Sequence, residues 1–165
     1  MSTGEGEREA RRLVQAFVAA NHVLTLASTG PHGPWAAPVF YAERFEAACR
    51  PRLVFVSSPS SRHAREFAAD ARAAAAIHAN ANDWRAIRGV QLTGVVRALE
   101  DDELPAAREA YARKFPQIGG PDGAPEPIAH AFARVRWFAF VAERAVLTDN
   151  AVAFGWREEV RFAGV

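Results

Sequence analysis

The sequence predicts an α+β domain built on an antiparallel sheet of six or seven strands, large enough to close into a barrel, with helices at its periphery. Three observations predict it. Extended apolar segments outnumber helical ones, the strands of the first half are joined by short turns, and helices are inserted singly. The regular strand–helix alternation that a parallel sheet requires is missing. Closure into a barrel would also remove most exposed edges.

From Glu7 to Ala20, Ala10, Leu13, Val14, Phe17 and Val18 recur at the three-and-four spacing of a helix with one buried face. "HVLTLAS" then alternates, "TGPHGP" supplies a turn, and "WAAPVFYA" forms a second strand. Pro38 cannot donate to a ladder, so this strand lies at an edge or is bulged. "PRLVFVS" is a third strand and "SSRHAREFAADA" a short helix with Phe67 on its buried side. "RAAAAIHA" and the long "IRGVQLTGVVRALE" follow as strands, with Gly89 and Gly94 marking a bulge or a close contact. Asp102–Phe115 is helical, with Leu104, Ala107, Tyr111 and Phe115 along one side. Residues 116–127 form a surface loop, and "ARVRWFAFVAERAVLTDN" and "AVAFGWREEVRF" complete the sheet.

A chain of 165 residues that is 50% hydrophobic supports one core, so residues 1–165 are read as a single domain, with 1–8 flexible. No apolar run approaches a membrane span. The start "MSTGEGEREARR" lacks a secretory pattern, and the lone Cys49 makes no internal disulfide, so the expected location is the cytoplasm. A net charge of +1 with dispersed arginines does not point to nucleic acid. His22, His32, His63, His78 and His130 lack paired zinc-site spacing, so no metal is expected. No nucleophile elbow, P-loop or dinucleotide glycine motif occurs, and no catalytic residue is assigned.

"SSPSSRHAREF" gathers Ser57, Ser58, Ser60, Ser61, Arg62 and His63 at a strand-to-helix turn, where free backbone N–H groups and the helix dipole favour an anion. The same residues also read as an ordinary helix start, with Ser60 as cap and the arginines solvated. Trp35, Trp84, Trp137 and Trp156 read as core, interface or ligand neighbours, with Trp137 in "WFAFV" the clearest core candidate.

The order of these motifs resembles the FMN-binding split-barrel superfamily of pyridoxamine 5′-phosphate oxidase, in which a Ser-Arg-Lys turn follows a strand ending in a hydroxyl residue. Here Ser61-Arg62-His63 follows Ser57. "SRHA", "IRGVQLTGVVRALE" before "AREAYARKFP", and "TDNAVAFG" resemble its YhbP-like branch, over about residues 10 to 160. The resemblance implies a homodimer of split barrels with FMN at the interface, the ring edge lying along Ala37, Pro38, Val39 and Phe40. It places Tyr41 where the oxidase has a phosphate-side lysine, Ser57, Ser58, Ser61, Arg62 and His63 around the phosphate, and Gln91 toward the ribityl chain or ring. Trp156 and Arg157 in "FGWRE" are expected to reach the partner's flavin. His63 in place of a permanent cation makes phosphate affinity pH-dependent.

The function so implied is an FMN-dependent oxidoreductase or flavin reductase-like protein acting on a small molecule, with a reduced nicotinamide as a candidate donor. The alternatives are the same fold with coenzyme F420 or haem, or a non-catalytic dimer that binds a flavin or other ligand.

Overall fold

A computed structural model describes residues 3–118 and 125–162. Helix α1 (Thr3–Ala20) leads into β1 (Val23–Gly30), β2 (Gly33–Phe40), β3 (Ala42–Phe45) and β4 (Pro51–Ser57). Helix α2 (Arg62–Ala69), β5 (Arg72–His78) and β6 (Arg88–Ala98) follow, then α3 (Leu104–Lys114), α4 (Glu126–Phe132), β7 (Arg136–Asp149) and β8 (Arg157–Arg161). The sheet has eight strands in the order β2-β1-β5-β6-β7-β4-β3, with β8 on β7, and all pairings are antiparallel. The count exceeds the expected six or seven because the chain leaves β1 after Phe40 and pairs with β4 from Ala42 onward. Residues 3–8 are helical, Glu126 and Pro127 open α4, and positions 119–124 of the expected 116–127 loop lie outside the described residues.

Strand β7 is the axis of the sheet. Along one edge it pairs with β6; its other edge serves β4 over Arg136–Val141 and β8 over Arg144–Thr148. Its run "WFAFVA" is apolar at every position because both faces are covered. Phe138, Phe140 and Ala142 point into the inner core with Leu24, Leu26, Phe55, Ile77 and Leu92, while Trp137, Ala139 and Val141 face an outer core made with Tyr111 and Phe115. Helix α1 closes the inner core with Ala10, Val14, Phe17 and Val18, whereas Leu13 lies off this stripe and is 39% exposed.

The glycine signal in β6 marks a bulge. The register shifts between Thr93 and Gly94, so Glu143 is skipped and its carbonyl accepts from Phe162 N at 2.9 Å. Buried Arg50 donates Nε to the neighbouring Ala142 carbonyl at 2.7 Å. A Cβ on Gly94 would stand 2.0 Å from the Val141 carbonyl oxygen.

Edge strand β2 pairs only with β1, as Pro38 requires, and approaches β4 without pairing, leaving an unbonded seam where the sheet curls on itself. At the other end, buried Asn150 ties two loops together. Its Nδ2 donates to Trp84 O at 2.7 Å, its N to Ile87 O at 3.0 Å, and its Oδ1 accepts from Gly155 N at 3.0 Å. Exposed Trp84 and Phe154 meet edge to face above it, with ring centres 5.5 Å apart.

Replacing Gly94 by Ala forces Cβ against backbone that two ladders hold, so Gly94→Ala should lower stability by about 3 kcal/mol. A urea midpoint equal to that of the parent would show that the bulge yields instead.

Candidate functional site

The turn between β4 and α2 is built from hydroxyls. Ser61 caps α2, accepting Ala64 N at 3.3 Å, and its Oγ lies 3.1 Å from Ser57 Oγ. Ser57 Oγ in turn sits 2.8 Å from His63 Nε2. Ser58 and Ser60 form a separate exposed pair, 2.8 Å apart. The first helical N–H groups, those of Arg62 and His63, have no acceptor among the described residues. Two donors and the positive helix end therefore face the point where three side chains, Ser57, Ser61 and His63, converge.

His63 is buried against Phe67, and desolvation holds its pKa below the ordinary value, with Glu66 opposing the shift. The imidazole is neutral at pH 7, and the permanent charge at the turn comes from arginine.

Arg62 is held on three sides. Its Nε donates to Glu66 Oε1 at 2.8 Å, its Nη2 donates to Gly33 O at 2.8 Å and His32 O at 3.3 Å, and its Cζ stands 4.7 Å from the centre of the Trp35 ring. Nη1 has no partner among the described residues, which leaves one nitrogen of the fork for a ligand. Glu66 is 8% exposed and is fixed by Ser28, whose Oγ donates to Oε2 at 2.5 Å; this bond, then that from Arg62, holds its pKa below the ordinary carboxylate value. Gly30 leaves the room, since a Cβ there would lie 2.6 Å from Glu66 Oε1.

A second region lies on the outer face of the sheet. Register aligns Pro38, Thr25, Ala76, Gln91 and Val146 in one row across β2, β1, β5, β6 and β7. Small residues from these strands leave a cleft of about 640 Å³, whose lining includes Gln91 and Arg157. Pro38 and Gln91 are three strand spacings apart, roughly 14 Å.

The residues singled out from sequence thus divide. Ser57, Ser61 and His63 converge, Arg62 is held apart from them on Glu66, Trp35 and the β1–β2 turn, and Ser58 pairs with Ser60 at the surface. Pro38 and Phe40 are exposed on β2, with Phe40 edge to face on Phe115, while Ala37 points inward and Val39 packs on the core. Tyr41 is not brought to either region: it is fully buried, its hydroxyl donates to Val18 O at 2.6 Å, and the Lys114 Nζ lies 4.1 Å from its ring centre. Trp156 is half-buried against the core. Glu66, Ser28 and Gly30 escaped the sequence reading; the Arg62/Glu66 spacing of four was a visible signal for the first, but nothing local joins Ser28 to a residue 38 positions away. Arg136, paired with Ser57 across the β4–β7 ladder, also went unread.

No helix is long and apolar enough to cross a membrane, and no group of three or more His, Cys, Asp or Glu side chains is placed to hold a metal, among the described residues.

Residues 10–149 match the family model described as pyridoxamine 5′-phosphate oxidase. The UPF0306 protein YhbP of Salmonella schwarzengrund is 32% identical over 139 residues, which are 84% of each chain. Among solved structures, a haem-binding protein from Mycobacterium smegmatis superposes with a TM-score of 0.67 at 25% identity, over 92% of this chain and 57% of that one. A pyridoxinephosphate oxidase-family protein from Clostridium acetobutylicum, related to general stress protein 26, superposes with a TM-score of 0.61 at 11% identity, over 94% of this chain and 96% of that one. With motif order, eight-stranded sheet and hydroxyl-rich turn all in agreement, the chain belongs to the pyridoxamine 5′-phosphate oxidase-like family, in its YhbP branch.

Proposed function

We propose that the protein binds FMN and acts as an oxidoreductase or flavin reductase-like enzyme on a small molecule, as a homodimer in the cytoplasm. The observation that carries this reading is the convergence of Ser57, Ser61 and His63 at the start of α2, whose first N–H groups are unpaired among the described residues, with Arg62 as the first residue of the helix. This donor set suits a phosphate monoester: hydroxyls and N–H groups donate, and the guanidinium carries charge. When bound, FMN supplies a ring that accepts and returns a hydride; the chain holds the phosphate and shields the ring. Pro38 offers no N–H, so at that position β2 presents only a carbonyl and apolar surface. Gln91 and Arg157 are the polar groups of the outer cleft, and the small residues Ala74 and Ala76 there allow a second protomer to approach closely.

Haem is the second reading. It is favoured by the mycobacterial neighbour and by His78, an exposed imidazole in β5 two residues beyond Ala76 and so on the same sheet face.

Titration of the purified chain with FMN, followed by absorbance, tests the proposal directly. The expected stoichiometry is near one per chain, with binding weakened about tenfold or more in Arg62→Ala. A chain that ignores FMN at tens of micromolar, or that takes up haem with a Soret band abolished by His78→Ala, overturns the flavin assignment. Glu66→Gln should weaken FMN binding less than Arg62→Ala, because it loosens the guanidinium without removing it; equal affinities for parent and both variants would separate the turn from the ligand.

The pH dependence has a definite sign. Free His63 has a lowered pKa, whereas a phosphate dianion beside the ring raises it, so the complex binds more protons than the free protein between the two values. FMN affinity should therefore rise as pH falls from about 8 toward 6.5, and the rise should vanish in His63→Gln. A parent profile that is flat or reversed would exclude protonation of His63 by the ligand. If the outer face is the dimer interface, Ala76→Arg should yield monomers by sedimentation velocity; an unchanged dimer places the interface elsewhere.

A further inference from the structure

The opposite flank of α2 carries a cleft that the flavin reading does not use. At 100° per residue, Ala64 and Ala68 lie about half a turn away from Arg62 and Glu66. Between them and the ends of β6 and β7 is a cavity of about 180 Å³. Its floor is apolar, formed by Phe67, Val96 and Phe138, each no more than 6% exposed. Three arginines also line it, Arg65, Arg97 and Arg136.

These cations come from three different elements, α2, β6 and β7, so their meeting is a product of the fold. Arg97 is neutralised by Glu103, donating Nη1 and Nη2 to the two carboxylate oxygens at 2.6 Å each. The Arg65 guanidinium donates only to the Ser60 carbonyl, and the Arg136 side chain has no hydrogen-bonding or ionic partner among the described residues. Two guanidinium groups without carboxylates thus border a pocket whose base is hydrocarbon. An inorganic anion would satisfy the arginines and leave the floor wet, and a neutral hydrocarbon would do the reverse. The small volume admits a single ring or a branched chain and excludes a nucleotide.

We propose that this cleft, which adjoins the α2 turn at Pro59 but opens on the flank of α2 opposite Arg62, is a second ligand site that takes a compact carboxylate with an aromatic or branched apolar body, the carboxylate between Arg65 and Arg136 and the body on Phe67 and Phe138. Bidentate guanidinium–carboxylate contacts give the orientation, and burial of the body gives most of the affinity.

The test is an NMR titration of the full chain with benzoate, run beside benzyl alcohol and inorganic phosphate. The proposal expects saturable shifts of the Ala64, Ala68 and Ala98 amides with benzoate, a dissociation constant of about 1 mM, and at least tenfold weaker binding of the other two probes. Arg136→Gln should weaken benzoate about tenfold. Ala68→Phe, which fills the cleft from an exposed helix position and keeps every charge, should abolish benzoate binding while leaving FMN titration as in the parent. No saturable shift, equal binding of benzoate and phosphate, or full benzoate affinity in Ala68→Phe each overturns the proposal, and none of these results depends on whether the α2 turn binds FMN.

Discussion

The structure depends on the burial of β7 on both faces. A strand with only one covered face could support the inner core or the α3 layer, but not both, and β4 would then have a single stable register instead of two agreeing ones. Phe138 and Phe140 fix β7 from inside, Trp137, Ala139 and Val141 fix it from outside, and β4 inherits the same register through Leu53 and Phe55 on one face and Val54 on the other. A one-residue slip would exchange the two sets and ruin both cores. Because Ser57 is the last residue of β4 and pairs with Arg136 at the start of β7, this double constraint also sets where the hydroxyl-rich turn begins.

At that turn, holding the fold and offering a binding group fall to the same residue. Arg62 spends Nε and Nη2 on Glu66 and on the carbonyls of the β1–β2 turn, so it staples α2 to the edge hairpin while presenting a third nitrogen outward. Its rotamer is settled before any ligand arrives, which lowers the entropy lost on binding. The price is sensitivity: Ser28, Gly30, Glu66 and Trp35 must all keep their places for that nitrogen to point correctly.

How much of this the sequence discloses depends on the range of the interaction. The α+β class, helices α1, α2 and α3, the edge placement implied by Pro38 and the bulge implied by Gly94 rest on periodicity and on single-residue backbone chemistry, which are local and therefore readable, whereas α4 (Glu126–Phe132) was not read. The break at Tyr41 is not readable in the same way, since "WAAPVFYA" has one continuous pattern and only the competition between β1 and β4 for its backbone divides it. The burial of Tyr41 likewise depends on the Val18 carbonyl of α1 and on Lys114 of α3, neither near it in sequence. Of the candidate site, the serines and Arg62 stood out by composition; their support by Ser28 and Gly30, and the alignment of Arg136 with Ser57, exist only once strands are paired.

Asn150 joins the loop after β5 to the loop after β7 through one side chain and its own backbone. Mechanically, the two loops are pinned together at Asn150, with the Trp84–Phe154 contact beyond it and the Arg88–Asp149 ion pair behind it. Thermal displacement of either is transmitted to the other with little loss, so Trp84 and Phe154 form one stiff projecting tip and not two independent rings. An inserted residue on one side of this tie would displace an acceptor or donor of Asn150 and so calls for an adjustment on the other.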